Sequence, residues 1–405
     1  MSQTEKNVQK KTKFPPYFYL LIIILQYLTA GFCQYKLQPI LTYMMDGMGI
    51  TEAMAGVLIS ALSILSVFLA IPFGVLMGKI GPRKTGFIAT GMIVIGSFIG
   101  TFFTTNFYGM FVSQLIVGVG ICGAGILGPY IITCLFKPEL RGQANGWYIT
   151  AGTIAQLVMF NLVPRITTPE NVTPAWWFTT IYAIVLLIVW AIFITDEVAP
   201  PASKLQQGDA GNTAESPTLI MALKNPKVLQ LSIGGLAFMM STMAVMSFAP
   251  TYLMVGRGYD PVLASSLVSG SAIVGAISTA VGGTLSDILK TRKWVFFVAL
   301  LWMAISRVLI VVLPDGILLN LTLWGQGIPA VCMGLIYTVA GEVLEPKIAS
   351  IGISTINMFI GLGGLIASTL FGVLVQCVGY PATFVVFAVA TLGGLIGVCT
   401  IKGVK

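Results

Sequence analysis

Two stretches decide how this chain is read: Gly74-Val-Leu-Met-Gly-Lys-Ile-Gly-Pro-Arg-Lys84 and Gly283-Thr-Leu-Ser-Asp-Ile-Leu-Lys-Thr-Arg-Lys293. Gly, Leu, Arg and Lys recur between them at a constant offset of 209 positions, 74 to 283 and 83 to 292. A second echo joins Phe136-Lys-Pro-Glu-Leu-Arg-Gly142 to Leu344-Glu-Pro-Lys347 at an offset of 208. Each copy follows an apolar run. Parallel halves of this kind are one of the known plans for membrane carriers, with the binding site between the halves.

The flanking composition agrees. The 405 residues are 56% hydrophobic and only 9% charged, where soluble domains carry about 25% charged residues. Twelve apolar stretches reach the roughly 20 residues needed to cross a bilayer. They lie at 18–44, 52–77, 86–104, 108–134, 143–163, 175–195, 228–255, 262–287, 294–313, 317–341, 350–377 and 381–401, and are numbered here as spans 1 to 12. The expected architecture is therefore an all-α membrane protein, two pseudo-symmetric six-helix bundles at 1–195 and 228–405. The segment 196–227, rich in Pro, Gly, Ser and Ala, reads as a linker between them. The 45 glycines suit closely packed membrane helices.

The net charge of +8 does not indicate a nucleic-acid partner, because the basic residues sit in short loops between spans. Lys6, Lys10, Lys11, Lys13, Lys79, Arg83, Lys84, Lys137, Arg141, Lys204, Lys224, Lys227, Lys290, Arg292, Lys293, Lys347, Lys402 and Lys405 make 18 of the 22 basic residues and fall on one side. Arg165 and Arg257 fall on the other. The positive-inside rule then puts both termini and the linker in the cytoplasm, in a multi-pass protein of the cytoplasmic (inner) membrane. The first apolar run is too long for a cleaved signal and lacks a small-residue cleavage site. All six Cys fall within spans and His is absent, so no structural disulfide, metal site or cofactor is expected.

With the paired loops in view, the chain resembles the major facilitator superfamily over essentially its whole length. That family's loop signature is Gly-x-Leu-x-Asp-x-x-Gly-x-Arg-Lys. The first copy has Gly78 at the acidic position; the second keeps Asp287 but has Lys290 for the glycine. The family's span-4 pattern, Arg-x-x-x-Gly-x-Gly, reads Gln114-Leu-Ile-Val-Gly118-Val-Gly120, without its arginine. The Gly-Pro pattern of drug/proton antiporters is missing from span 5. Lys36-Leu-Gln-Pro-Ile-Leu-Thr42 with Gly49-Ile-Thr-Glu-Ala-Met-Ala-Gly56 looks like the opening of cyanate-permease-like carriers. Gln34-Tyr35 is similar to the first span of oxalate/formate-type exchangers. These resemblances imply a monomeric carrier working by alternating access on small anions, with span 1 lining its cavity and spans 3, 6, 9 and 12 at the periphery.

Two cations lie inside spans. A charge at membrane depth costs roughly 3 kcal/mol or more and marks a substrate or ion path by default. Lys36 in span 1 has no acid within a turn, and no carboxylate lies in the interior of any span. A lone cation is explained if its anion arrives from outside, although a Lys stem can also snorkel to the headgroups. Arg307 in span 9 reads first as a snorkelling side chain reaching the outer surface near Asp315, and second as a further charge of the site. Neutral donors complete the expected substrate-binding set: Gln34, Gln38, Tyr130, Gln156, Tyr252, Gln326 and Asn357. Amides and phenols suit an anion that must bind and still leave, and equally serve as interhelical hydrogen bonds. Gly74, Arg83, Lys84, Asp287, Arg292 and Lys293 form the loop motif, read as a topology signal or a gate-like ion-pair cluster.

The expected function is secondary transport of a small organic or inorganic anion, with the bilayer and the solute as its only partners. A proton-coupled exporter of hydrophobic compounds would call for a buried carboxylate. A non-transporting sensor would call for an appended domain, which the short linker is not. No nucleophile–base pair or metal cluster supports an enzyme.

Overall fold

The computed structural model describes residues 13–195, 198, 225–289, 292–343 and 346–399. Most of the linker 196–227 lies outside them. So do Lys6, Lys10, Lys11, Lys204, Lys224, Lys290, Lys402 and Lys405. The side chains of Asp287, Arg292, Lys293 and Lys347 are also outside the description, and with them the gate-like cluster.

The described residues are helical, with no strand beyond one isolated bridge at Thr168 and Asn171. Lipid offers backbone amides no partner, so a spanning chain must bond them within itself. Ten stretches are long and apolar enough to cross a membrane. One of them, Thr355–Gly394, is two legs folded at Gly379 (φ 80°), and the broken helix through Ile317–Met333 supplies the remaining crossing. Twelve crossings result among the described residues. Spans 2 and 3 are likewise folded back to back at Gly81 (φ 83°), within the helical stretch Glu52–Phe102.

Local chemistry sets the ends. The Asn106 side chain accepts from Gly109 N (2.9 Å) and opens Phe107–Leu135. The Asn225 side chain accepts from Lys227 N (3.0 Å) and opens Pro226–Arg257. Pro138 and Pro346, the two prolines of the second sequence echo, each begin a helix, where the missing N–H costs nothing. Spans 1 and 7 both stop at a left-handed glycine, Gly49 (φ 63°) and Gly258 (φ 70°). Those two positions are 209 apart, so the offset read in the loops recurs in cap geometry. A Cβ at either φ would be strained. Arg141 donates to Phe136 O (3.0 Å) and Thr133 O (2.9 Å), so this basic loop residue closes the end of span 4.

The chain divides into two compact units, Met1–Gly49 with Ala61–Asn212, and Ile50–Ser60 with Thr213–Lys405. The short segment Ile50–Ser60 thus groups with the second unit, where the Thr369 hydroxyl donates to Ser60 Oγ at 2.9 Å. The first unit packs Tyr19, Ile23, Leu127, Ile131, Tyr148 and Trp190 into one apolar core. Tyr148 donates to Ala124 O (2.8 Å) and Trp190 to Arg83 O (3.0 Å), so both aromatic bodies are buried with their polar ends satisfied. The second unit has its own core around Leu231, Phe296, Leu300, Met303, Ile336 and Ile356.

Two spans are not continuous. The first helix runs Pro16–Tyr35, yields to a 3₁₀ turn at Gln38–Ile40 and resumes as Leu41–Met48. Span 10 runs Ile317–Gly325, turns at Ile328–Ala330 and resumes as Val331–Val343. Pro39 and Pro329 sit in the two turns. Each lacks an N–H and its ring collides with the carbonyl four residues back, which ends the α-helix there. The crossings at 18–44 and 317–341 are therefore each built from two helical segments joined by a 3₁₀ turn.

Candidate functional site

Lys36 is the residue at which the first helix stops. It is the C-cap of Pro16–Tyr35, and the C-terminal end of a helix carries a partial negative charge. That partial negative charge favours an ammonium. The side chain is fully buried, with 0% exposure, so it does not snorkel. Nζ donates to Thr179 Oγ1 at 3.4 Å and stands 5.0 Å from the centroid of the Trp176 ring. Thr179 Oγ1 in turn donates to Trp176 O (3.0 Å), which leaves its lone pairs for the ammonium. An ammonium has three donors. The 3.4 Å bond is long, and no carboxylate pairs with Lys36 among the described residues. A dipole end, one hydroxyl and an indole face therefore hold a whole positive charge.

Of the other candidates in the first unit, Gln38 shares the break with Lys36. It is buried and its Oε1 has no hydrogen-bond partner among the described residues. Gln34 is half-buried in the last turn before the break. Gln156 is buried in span 5, the helix whose Ala155 lies against Gly31 of span 1. Tyr130 is half-buried in span 4.

Arg307 corrects one expectation. It is 1% exposed and does not reach the surface. Its Nε donates to Ser241 Oγ (3.3 Å), Nη1 to Ser306 Oγ (3.4 Å) and Nη2 to Ser241 O (3.4 Å). Asp315, the acid expected to draw it outward, instead holds Arg257 at 2.8 Å and accepts from the Tyr259 hydroxyl at 3.0 Å. Arg257 Nη2 also takes the carbonyls of Ile310 (2.7 Å) and Leu313 (2.8 Å), closing the end of span 9. Arg257 is the last residue of its helix and meets these groups at the end of span 9, whereas Arg307 lies more than a turn deeper in that span.

Arg307 and Gln326 line one small cavity with Thr242, Met246, Ser271 and Leu323. Its volume is about 10 Å³, room for a single water. Gln326 sits at the break of span 10, as Lys36 does at that of span 1. Its Nε2 donates to Thr322 O (3.3 Å) while its Oε1 is buried without a partner among the described residues. Tyr252 stands elsewhere in this unit, its ring 5.2 Å from Phe384 and 5.7 Å from Tyr380. Asn357 is exposed on span 11. Of the loop motif, Gly74 and Arg83 are half-buried and Lys84 is exposed.

Sequence reasoning missed Trp176 and Thr179, the partners of Lys36, and Ser241 and Ser306, the partners of Arg307. Small hydroxyl residues in membrane helices usually serve packing. Lys36 and Thr179 are 143 positions apart, and no spacing in the chain points from one to the other. Among the described residues no three His, Cys, Asp or Glu converge as a metal site would require.

The model of the Major Facilitator Superfamily matches residues 23–293 and 231–402. A search of curated proteins found no match. Among solved structures, the chain is similar to a mutant of the nucleoside transporter NupG, with a TM-score of 0.79 at 16% identity, covering 94% of this chain and 98% of that one. It is also similar to a bacterial homologue of the human lysosomal transporter Spinster in an inward-facing, occupied conformation, with a TM-score of 0.74 at 16% identity, covering 94% and 96%. At that identity the likeness shows the fold. The family match spans more than half of the chain, and together with twelve crossings it settles the class: this is a multi-pass membrane protein of the Major Facilitator Superfamily, a secondary transporter of small solutes and not an enzyme.

Proposed function

We propose that the solute is a small anion, recognised by Lys36 and moved by alternating access of two six-span halves, 1–195 and 228–405. One observation carries this reading. Lys36 is wholly buried at a helix break, and its contacts among the described residues are neutral and weak. Discontinuous helices build ion and substrate sites in other carriers. A carboxylate or inorganic anion would replace a 3.4 Å hydroxyl bond with a charge-assisted one, roughly twice as strong as a neutral bond. Gln34, Gln38, Tyr130 and Gln156 in the first unit, and Tyr252, Gln326 and Asn357 in the second, are the neutral donors proposed to orient the solute. Arg307, held by three long bonds to neutral acceptors, is the second charge. The resemblance of the first span to cyanate-permease-like and oxalate/formate-type carriers supports the same class. The basic loops support an inner-membrane orientation with both termini and the 196–227 linker in the cytoplasm.

The test is uptake by proteoliposomes of cyanate, formate, oxalate and inorganic anions, with nucleosides and a hydrophobic cation as comparison solutes. Saturable uptake of one of the anions, inhibited by the others, is expected. Uptake confined to nucleosides or to the hydrophobic cation would overturn the anion reading.

A further inference from the structure

The first unit carries a second cationic feature, far from Lys36. An open cavity of about 320 Å³ lies at the turn between spans 2 and 3, lined by Arg83, Lys84, Phe87, Ile88, Trp190 and Ala191. Trp190 is 14 positions beyond Trp176 on one helix, which places the cavity roughly 21 Å along that helix from the Lys36 contact. The two cations stand at the start of span 3, immediately after the left-handed turn at Gly81. The positive end of that helix adds to their field. Among the described residues, no acid lines the cavity.

The rest of the lining is apolar. Phe87 and Ile88 on span 3 are exposed, as are Ile188 and Ile192 on span 6. Ile188 and Ile192 flank Trp190 and Ala191 on that helix, so exposed apolar surface lies near the cavity in sequence. The Trp190 ring is buried in the core behind the cavity and its indole N–H is already committed to Arg83 O at 3.0 Å, so it offers an occupant no donor. The occupant must therefore be anionic at one end and apolar at the other. The cavity also lies at the end of the spans that carries the basic loops, where acidic lipids of the inner leaflet are met. Basic pockets between membrane helices on that side take anionic headgroups.

We infer that this cavity is a binding site for one anionic glycerophospholipid, with its phosphate between Arg83 and Lys84 and an acyl chain along Phe87, Ile88 and the outer face of span 6. The inference does not depend on which solute the protein carries. It rests on the cavity, on the two cations that line it and on the orientation set by the basic loops.

The test is native mass spectrometry of the full chain in detergent, titrated with phosphatidylglycerol, phosphatidylcholine or sn-glycerol 3-phosphate. One phosphatidylglycerol is expected to bind in preference to phosphatidylcholine. Lys84→Gln should weaken it about fivefold and Arg83→Gln with Lys84→Gln about thirtyfold. Lys84 is exposed, so the single variant leaves the fold intact. Lys79→Gln removes the same charge from the same loop but lines no part of the cavity, and should bind as wild type. Equal retention of both lipids would overturn the proposal, as would equal losses in Lys79→Gln and Lys84→Gln. Competition by glycerol 3-phosphate at the lipid's own concentration would overturn it in favour of soluble phosphates.

Discussion

Replacing Lys36 by Gln removes the charge and keeps an amide of comparable reach. An anion seated about 4 Å from Nζ interacts with it by about 4 kcal/mol at the effective dielectric of a protein site. The Gln amide recovers about 1 kcal/mol of that through a neutral hydrogen bond. The net loss is about 3 kcal/mol, a factor of roughly 150 in affinity for the anion. Stability should move the other way. Breaking a buried ion pair costs about 3–5 kcal/mol because it strands the partner charge. Lys36 has no carboxylate partner among the described residues, only Thr179 at 3.4 Å and the Trp176 ring at 5.0 Å. The melting temperature of Lys36→Gln should therefore equal or exceed that of wild type. Lys36→Arg should keep part of the transport, since charge persists while donor geometry changes. The assay is uptake per folded molecule in proteoliposomes, with the folded fraction fixed by size-exclusion chromatography and melting curves. Uptake by Lys36→Gln within about threefold of wild type, for every solute the protein carries, would refute the reasoning. A marked loss of stability would refute it too, by showing Lys36 to be a structural support.

Arg307→Gln should lower uptake at least about tenfold without a large loss of stability, because its three bonds are long and end on neutral groups; unchanged uptake would leave Arg307 as packing. Gly118→Ala should destabilise by about 1–3 kcal/mol, since its Cβ would run into the Leu62 carbonyl and force spans 2 and 4 apart. Gly125→Ala, with nothing within 4 Å of the new Cβ, should be neutral or gain up to about 1 kcal/mol, and melting curves of the two variants make the comparison. Hydrogen bonds from Arg257 and then Tyr259 hold the Asp315 carboxyl below its ordinary range. A carboxyl depressed in the folded state stabilises above its unfolded value of about 4 and loses that contribution as pH falls through the folded one. Asp315→Asn should thus flatten the acid limb of the melting temperature below about pH 4 and change little at pH 7, where its 56% exposure keeps the pair weak. An unchanged acid limb would show the pair to be inert.

The class of this protein is written in the chain because a bilayer constrains sequence so directly. Apolar runs of the right length have to be helices, basic residues collect in the loops of one side, and the 209-residue offset returns as Gly49 and Gly258 capping equivalent helices. Lys36 could be singled out for the same reason, since a charge stands out against lipid. The break beside it had a signal in Pro39, as the break of span 10 had in Pro329, but unbroken hydropathy across both positions conceals it. What surrounds each cation was not legible. Arg307 and Asp315 are eight positions apart and look like partners, yet packing brings the end of span 7 to Asp315 and gives it Arg257, 58 positions away. Thr179 and Trp176 reach Lys36, and Ser241 reaches Arg307, only because separate helices pack side by side. Composition and periodicity report how each helix meets its solvent. Which side chains meet across helices depends on their rotation and depth, and the tertiary structure alone decides those.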